Sequence, residues 1–237
     1  MQKAKPKYLA WSHSRISDFK KCRAMFWWKN VDPRKPKPVA YIETPSMKEG
    51  KVQHKAFEDR IATGKPFPER YAHYEPIAQA ILNAPGENMC EHQITFDPAF
   101  KQVGWFDKNA YLRVGIDILK LHGSVAWAGD YKSGNPWTDE SNSQLKLTAA
   151  IVFTAFPEVQ KVTTSYIWLK PGLIESSVYH RSQFQELWQE LMVEPNKMQE
   201  AYVLDHWPTN PTNWNCGYCP VNAKGLCTDA KGSYKGS

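Results

Sequence analysis

A short hairpin with an acid in each arm restricts the fold of this chain more than any other feature. Residues 115–134 have the sequence GIDILKLHGSVAWAGDYKSG, and the central Gly-Ser pair is typical of a two-residue type II′ turn. The flanking segments are rich in branched and aromatic residues, as strands are. Counting outward from the turn pairs His122 with Val125 and finally Asp117 with Asp130. The hairpin therefore brings two carboxylates together.

Two directly opposed carboxylates repel each other, because facing Cβ atoms lie roughly 4.5–5.5 Å apart. Such a pair is stable if one acid is protonated or if a cation lies between the two. Lys132 falls on the same face as Asp130, since side chains alternate along a strand. A divalent metal ion is one explanation for the pair. The other is a register shifted by one residue, which would leave the acids in solvent.

Composition sets broad limits on the class of protein. The chain has 237 residues, of which 42% are hydrophobic, enough to form one large domain or two small ones. A net charge of +6, from 30 basic and 24 acidic residues, is compatible with a polyanion as partner. The N-terminus lacks an apolar leader, and no apolar run is long enough to span a membrane. We therefore expect a cytoplasmic protein with no membrane partner.

The hydrophobic pattern changes from helical to strand-like and back along the chain. It predicts helices over residues 14–29, 47–63, 74–83, 141–156 and 182–203, with Ser14 as the N-cap of the first. It predicts strands over residues 92–96, 110–121, 125–131, 161–170 and 173–180. This order favours an α/β or α+β fold. A helical N-terminal part and a Cys-rich C-terminal loop complete it.

Three further polar residues could join the hairpin acids. His54 and Glu58 lie four residues apart on the second predicted helix and so share a face. His54 could be a metal ligand, or it could be a partly exposed histidine paired with Glu58. Gln144 lies near the start of the helix that follows the hairpin, where by itself it would be an ordinary surface residue.

The cysteines indicate a second site. Cys216, Cys219 and Cys227 form a C-x2-C-x7-C pattern, which is typical of metal binding, although three free thiols near the terminus are the alternative. A tetrahedral site needs a fourth ligand, and Cys22 and Cys90 are the candidates. Zinc and an iron–sulfur cluster both accept four thiolates, so the spacing does not separate them.

Taken together, these segments resemble the PD-(D/E)XK nuclease superfamily. Within it they resemble the RecB-like branch, which includes CRISPR-associated iron–sulfur nucleases, the AddB nuclease domain and phage exonucleases. The matching segments are SHSRISDFKKCRAMFWW at 12–28, EGKVQHKAFE at 49–58, GID at 115–117, DYK at 130–132 and QLKLTAAIVF at 144–153. With the C-terminal cysteines, the resemblance extends from residue 12 to residue 227.

The resemblance implies a restriction-endonuclease-like core, in which helices flank a central mixed β-sheet, and a divalent metal site. Asp117, Asp130 and His54 would bind Mg²⁺ or Mn²⁺, with Glu58 in a supporting position. Lys132 would orient the attacking water and stabilise developing negative charge.

Gln144 would be the glutamine that follows the core hairpin in this branch. Thr148 stands where the branch often has tyrosine, which removes one expected substrate contact.

The resemblance also implies a cluster that joins the two ends of the chain. Its ligands would be Cys22, Cys216, Cys219 and Cys227, holding a 4Fe-4S cluster, with zinc as the alternative. The gap between the last two cysteines is longer than the commonest form of the pattern. We expect a single nuclease domain over residues 1–230 and a flexible tail over 231–237.

The implied function is a metal-dependent DNA exonuclease, active in DNA recombination, DNA repair or phage DNA metabolism. Its substrate would be the ends of single- or double-stranded DNA, in a prokaryotic or phage-infected cell, with recombination or replication proteins as possible partners. The sequence contains no helicase motifs, which favours a stand-alone enzyme. The alternative is a non-catalytic or partner-dependent DNA-binding subunit of a recombination or CRISPR adaptation complex.

Overall fold

The computed structural model describes residues 7–34, 43–136 and 142–235, and the chain divides into two compact units. We call Pro45–Leu191 the sheet unit, and Met1–Thr44 with Met192–Ser237 the terminal unit. The predicted single domain over residues 1–230 stays a prediction, since compactness does not show whether either unit folds alone. In the described part of the chain, no helix is long and apolar enough to cross a membrane.

The described elements are mostly short helices, with all the strands in one unit. The helices of the sheet unit are α3 Pro45–Thr63, α4 Glu75–Asn83, α5 Ser143–Ala155 and α6 Phe184–Leu191, with 3₁₀ turns Glu69–Tyr74 and Arg181–Gln183. Its strands are β1 Glu87–Phe96, β2 Leu112–His122, β3 Val125–Lys132, β4 Lys161–Trp168 and β5 Leu173–His180. The terminal unit contains α1 His13–Lys21, α2 Arg23–Phe26, the π-helical turn Trp27–Val31, α7 Val193–Leu204, α8 Asn213–Gly217 and α9 Pro220–Ala223.

The sheet unit is built on five strands in the order β1-β2-β3-β4-β5. All neighbours are antiparallel except β3 and β4, which are parallel. A parallel pair needs a crossover, and α5 supplies it. The predicted mixed sheet with flanking helices is confirmed.

Helices cover both faces of this sheet. Ile118, Tyr131 and Ile167 pack into one core with the buried residues of α3 and α4, among them Phe57. On the other face α5 contacts β2, β3 and β4, and a smaller core groups Leu145, Tyr166 and Trp168. The central strands therefore contribute apolar side chains to a core on each face of the sheet.

The hairpin has the predicted register. His122 pairs with Val125, and the ladder continues to Ile118 opposite Gly129. Gly123 has a φ of +56°, as a primed turn requires. The ladder ends one pair before Asp117 and Asp130 would meet.

The terminal unit joins the two ends of the chain. The side-chain amides of Asn210 and Asn215 donate to the carbonyl oxygen of Lys21 at 3.1 and 3.2 Å. Phe26 stacks on Trp207, with ring centroids 5.9 Å apart. These contacts link segments almost two hundred positions apart, and helix α1 also packs against α7.

The first predicted helix is wrong in two respects. Its N-cap is Ser12 rather than Ser14, because the Ser12 hydroxyl accepts the bond from the Arg15 amide. The helix is also interrupted at Cys22, whose backbone is extended at φ −165° and ψ 117°. The Asn side chains that bind the Lys21 carbonyl stabilise this interruption.

The predicted helix over 182–203 is likewise divided, with α6 ending at Leu191 and α7 beginning at Val193. Pro195 has no amide hydrogen to donate to the Leu191 carbonyl, so an uninterrupted helix is unfavourable there. Ser141, part of the predicted start of α5, lies outside the described residues.

Candidate active site and cysteine cavity

The hairpin acids sit where β2 and β3 stop pairing. Asp117 Oδ2 accepts a hydrogen bond from the backbone amide of Tyr131 at 2.8 Å, in place of the next backbone pair. The same oxygen lies 3.4 Å from His54 Nδ1. The Asp117 side chain is thus fixed by contacts from β3 and α3 together.

His54 is oriented by its second nitrogen. Nε2 lies 2.8 Å from the carbonyl oxygen of Tyr131. Since a carbonyl can only accept, Nε2 carries the hydrogen and Nδ1 faces Asp117. A hydrogen bond of this kind fixes the tautomer and ring direction of metal-binding histidines.

Asp130, Lys132 and Gln144 form a closed network. Lys132 Nζ donates to Gln144 Oε1 at 2.9 Å, and Gln144 Nε2 donates to Asp130 Oδ1 at 2.5 Å. Lys132 Nζ also lies 2.7 Å from Asp130 Oδ2, which is ion-pair distance. That oxygen is buried and receives no hydrogen bond, so its contact with the Lys132 ammonium is an ion pair.

Glu91 is a site residue that the sequence reasoning missed. It lies on β1 between the pairs Cys90–Ile118 and His92–Ile116, opposite Asp117. One ligand atom from each of Glu91, His54 and Asp117 lies within 4.8 Å of the other two. Among the described residues, no other group of three or more His, Cys, Asp or Glu side chains is as close together. The sequence prediction began this strand at residue 92 and so excluded the acid.

Glu58 lies one turn after His54 on α3, as predicted, but it binds a neighbouring lysine. Its carboxylate is 2.9 Å from Lys55 Nζ. Glu58 is close enough to Glu91 to raise the pKa of the Glu91 carboxyl. The supporting role of Glu58 stays a prediction.

The site carries more negative charge than its environment stabilises. Burial, the largest cause, and the Asp130 carboxylate raise the pKa of Asp117 well above its usual range, while the Tyr131 amide opposes the shift. Burial also raises the pKa of Glu91.

A divalent cation would relieve this repulsion between the carboxylates. Carboxylate oxygens with one imidazole suit Mg²⁺ or Mn²⁺, so the residues fit such an ion.

The family model of the PD-(D/E)XK nuclease superfamily matches residues 10–227. The chain belongs to the PD-(D/E)XK nuclease superfamily. Within this superfamily fold, the hairpin acids, Lys132 and Gln144 occupy neighbouring positions around one end of β3.

One solved structure supports the fold. A predicted exonuclease from Eubacterium rectale superposes with a TM-score of 0.51 at 12% identity, covering 86% of this chain and 84% of that protein. Identity this low shows a common fold and nothing more. SSO0001 covers 98% of this chain and 91% of its own, at 13% identity and a TM-score of 0.43. No curated protein sequence matches the chain.

The terminal unit contains the cysteine cavity, a space of about 160 Å³. All four predicted cluster ligands line it: Cys22, Cys216, Cys219 and Cys227. Cys216 and Cys219 are buried. Cys90 lies instead on β1 of the sheet unit.

Breaks and starts of helices position two of these thiols at the cavity. Cys22 occupies the interruption between α1 and α2, and Cys219 precedes Pro220 at the start of α9. Burial, the largest cause, and the nearby thiols of Cys219 and Cys22 raise the pKa of Cys227. Thiols from both ends of the chain are therefore close enough to interact.

Proposed function

We propose that this protein is a divalent-metal-dependent deoxyribonuclease of the RecB-like branch that degrades DNA from its ends. The observation that carries the proposal is the network of Asp130, Lys132 and Gln144 beside Asp117 and His54. This network supports a site in which carboxylates, an imidazole and an ammonium act together. A protein that only bound DNA would gain nothing from acids held so close together.

His54, Asp117 and Asp130 would hold Mg²⁺ or Mn²⁺. When bound, such an ion polarises a phosphodiester oxygen and lowers the pKa of water enough to give a nucleophile near neutral pH. His54 keeps its orientation through the Tyr131 carbonyl, so its free nitrogen stays directed into the site. The Tyr131 amide similarly holds Asp117.

Lys132 supplies the positive charge that the reaction needs. Its ammonium is held by Gln144 and Asp130 and lies 5.0 Å from the centre of the Tyr166 ring. A fixed ammonium stabilises the negative charge that develops on the phosphoryl oxygens, without reorganising during the reaction. Gln144 would act as a positioning residue, because it binds both the Lys132 ammonium and the Asp130 carboxylate.

The RecB-like branch, exonuclease action and a role in DNA recombination, repair or phage DNA metabolism belong to the proposal. Their support is the order of the motifs along residues 12–227. The name of the Eubacterium rectale protein agrees with exonuclease action, although it describes that protein.

We further propose that the cysteine cavity holds a 4Fe-4S cluster. A single zinc ion with Zn–S bonds of about 2.3 Å needs its four sulfurs about 3.8 Å apart. In the described part of the chain, no three of these thiols lie within 4.8 Å of one another. The support for the larger cofactor is a cavity of about 160 Å³ that all four thiols line.

The test of the nuclease is cleavage of end-labelled linear and closed circular DNA, single- and double-stranded, with Mg²⁺ or Mn²⁺. The wild type is compared with Asp130→Asn, which keeps the volume of the side chain and removes its charge. We expect metal-dependent loss of linear DNA, with a rate at least about 100-fold lower in the variant. Equal rates would exclude Asp130 from the site, and rapid cutting of circles would make the enzyme an endonuclease.

A further inference from the structure

Glu91 has a backbone conformation that a strand residue rarely adopts. Its φ is +47°, in the left-handed region, although regular pairs flank it on both sides. The other described non-glycine residues with positive φ are Phe100, Asn142 and Asp205, which lie in a loop or at helix caps. Inside a strand this conformation is unfavourable and persists only where something compensates for it.

The geometry around Glu91 shows what could compensate. Its carboxylate lies within 4.8 Å of the ligand atoms of His54 and Asp117. These three side chains come from β1, α3 and β2, so they approach one point from three separate elements. A cation at this point would be surrounded by two carboxylates and one imidazole.

Asp130 Oδ2 is buried and already faces a cation, the Lys132 ammonium at 2.7 Å. The position of the divalent ion is therefore defined by Glu91, His54 and Asp117. Asp117 is largely buried, whereas Glu91 is exposed, so Glu91 forms the solvent side of the cluster.

We infer that Glu91 is a further ligand of the divalent ion, in addition to the hairpin acids and His54. The inference rests on the proposed nuclease function and extends it, since the resemblance implies no ligand from β1. Glu91 would bind the ion from the side that solvent and the DNA phosphate can reach. Its unfavourable backbone is then retained because it directs the carboxylate to the ion.

This inference predicts opposite effects on the metal-free and metal-bound protein. Asparagine tolerates positive φ and carries no charge, so Glu91→Asn should raise the melting temperature in EDTA. The same variant should reduce the increase in melting temperature that Mn²⁺ produces. A purely structural role for Glu91 would not separate the two measurements.

The decisive experiment is calorimetric titration of the DNA-free protein with Mn²⁺ at neutral pH. The variants are Glu91→Gln, Asp117→Asn and the matched control Glu87→Gln, which removes an exposed acid from the same strand. We expect Glu91→Gln to weaken Mn²⁺ binding at least tenfold, and Glu87→Gln to change it less than twofold.

The outcomes separate the inference from the function on which it rests. If Glu91→Gln binds Mn²⁺ like the wild type while Asp117→Asn does not, Glu91 is not a ligand and the nuclease site stands. If the wild type itself fails to bind Mn²⁺ or Mg²⁺, the proposed function fails as well.

Discussion

The two units of the chain differ most in their charge. The sheet unit has 15 basic and 17 acidic residues, a net charge of −2, whereas the terminal unit has 15 basic and 7 acidic, a net charge of +8. Residues 1–44 alone contain 11 basic and 3 acidic residues. The modest total of +6 therefore hides an acidic unit that carries the candidate active-site residues and a basic unit that carries the four cysteines of the cavity.

The two sites differ in how their ligands are held. The carboxylates of the sheet unit are fixed by strand pairing and by hydrogen bonds within residues 54–144. The thiols of the terminal unit come from segments almost two hundred residues apart and meet only when the ends associate. Loss of a ligand should therefore affect chemistry in the first site and folding in the second.

Replacing a cavity thiol should have the largest effect. We expect Cys219→Ser to abolish binding of the proposed cofactor and to destabilise the terminal unit. Structural metal sites contribute folding free energy directly, on the order of 10 kcal/mol for zinc peptides. Iron content, visible absorbance and limited proteolysis measure the loss. Mn²⁺ binding by the sheet unit should remain.

Cys90→Ser is the matched control, because it removes a thiol from the sheet unit. It should leave iron content and protease resistance unchanged. Equal effects of the two substitutions, or wild-type stability in Cys219→Ser, would remove the contrast between the sites.

Gln144→Ala should reduce activity without changing the fold. Lys132 and Asp130 would each lose one hydrogen bond. We expect the cleavage rate to fall by about 10- to 100-fold, because a slight misplacement of reacting groups slows a reaction by a factor of that order. Gln79→Ala, an exposed glutamine of α4, is the control. Steady-state cleavage and Mn²⁺ titration distinguish misplaced reacting groups from weaker metal binding. If Mn²⁺ affinity falls in proportion to the cleavage rate, Gln144 is a determinant of metal binding instead.

The sequence was sufficient to predict the hairpin because a two-residue turn fixes the register of the strands beside it. That register places Asp117, Asp130 and Lys132 with no knowledge of the rest of the chain. The bounds predicted for β5 also agree with the structure. Local rules therefore determine the part of the site that a single turn controls.

Glu91 could not be found in the same way. The connection between β1 and β2 spans residues 97–111, and a loop of that length does not set a register. The interruption at Cys22 is also non-local, because the bonds that stabilise it come from Asn210 and Asn215. Features that depend on distant segments were missed for this physical reason.

The stability of the metal-free sheet unit should depend on pH through Asp117. Its pKa is raised in the folded state by burial and by Asp130, with Glu91 adding to the shift and Lys132 opposing it. The folded protein therefore binds a proton that the unfolded chain has released. Stability falls as pH rises from the unfolded pKa, about 3.9, toward the raised folded value, by up to about 1.4 kcal/mol per pH unit.

Urea unfolding in EDTA from pH 4 to 8 measures this, as the difference between wild type and Asp117→Asn. The asparagine keeps an acceptor for the Tyr131 amide and removes the titrating group. We expect the variant to gain stability over the wild type as pH rises, and added Mn²⁺ to reverse the order. Parallel curves would show that Asp117 does not carry the repulsion.

The basic residues of the terminal unit should have the smallest effect, on DNA affinity and its salt dependence. We expect a triple variant, in which Lys3, Lys5 and Lys7 are each replaced by serine, to bind DNA a few-fold more weakly. The slope of the logarithm of the binding constant against the logarithm of the salt concentration should become shallower. The change should be about 0.9 for each phosphate of duplex DNA that the variant no longer neutralises. Fluorescence anisotropy in EDTA measures binding without cleavage.

The control removes three exposed lysines of the sheet unit, Lys101, Lys108 and Lys170. If both triple variants lower the slope equally, DNA responds to the total charge of +6 and not to its concentration in the first 44 residues. A change confined to the N-terminal variant would assign phosphate binding to the basic unit and chemistry to the acidic one.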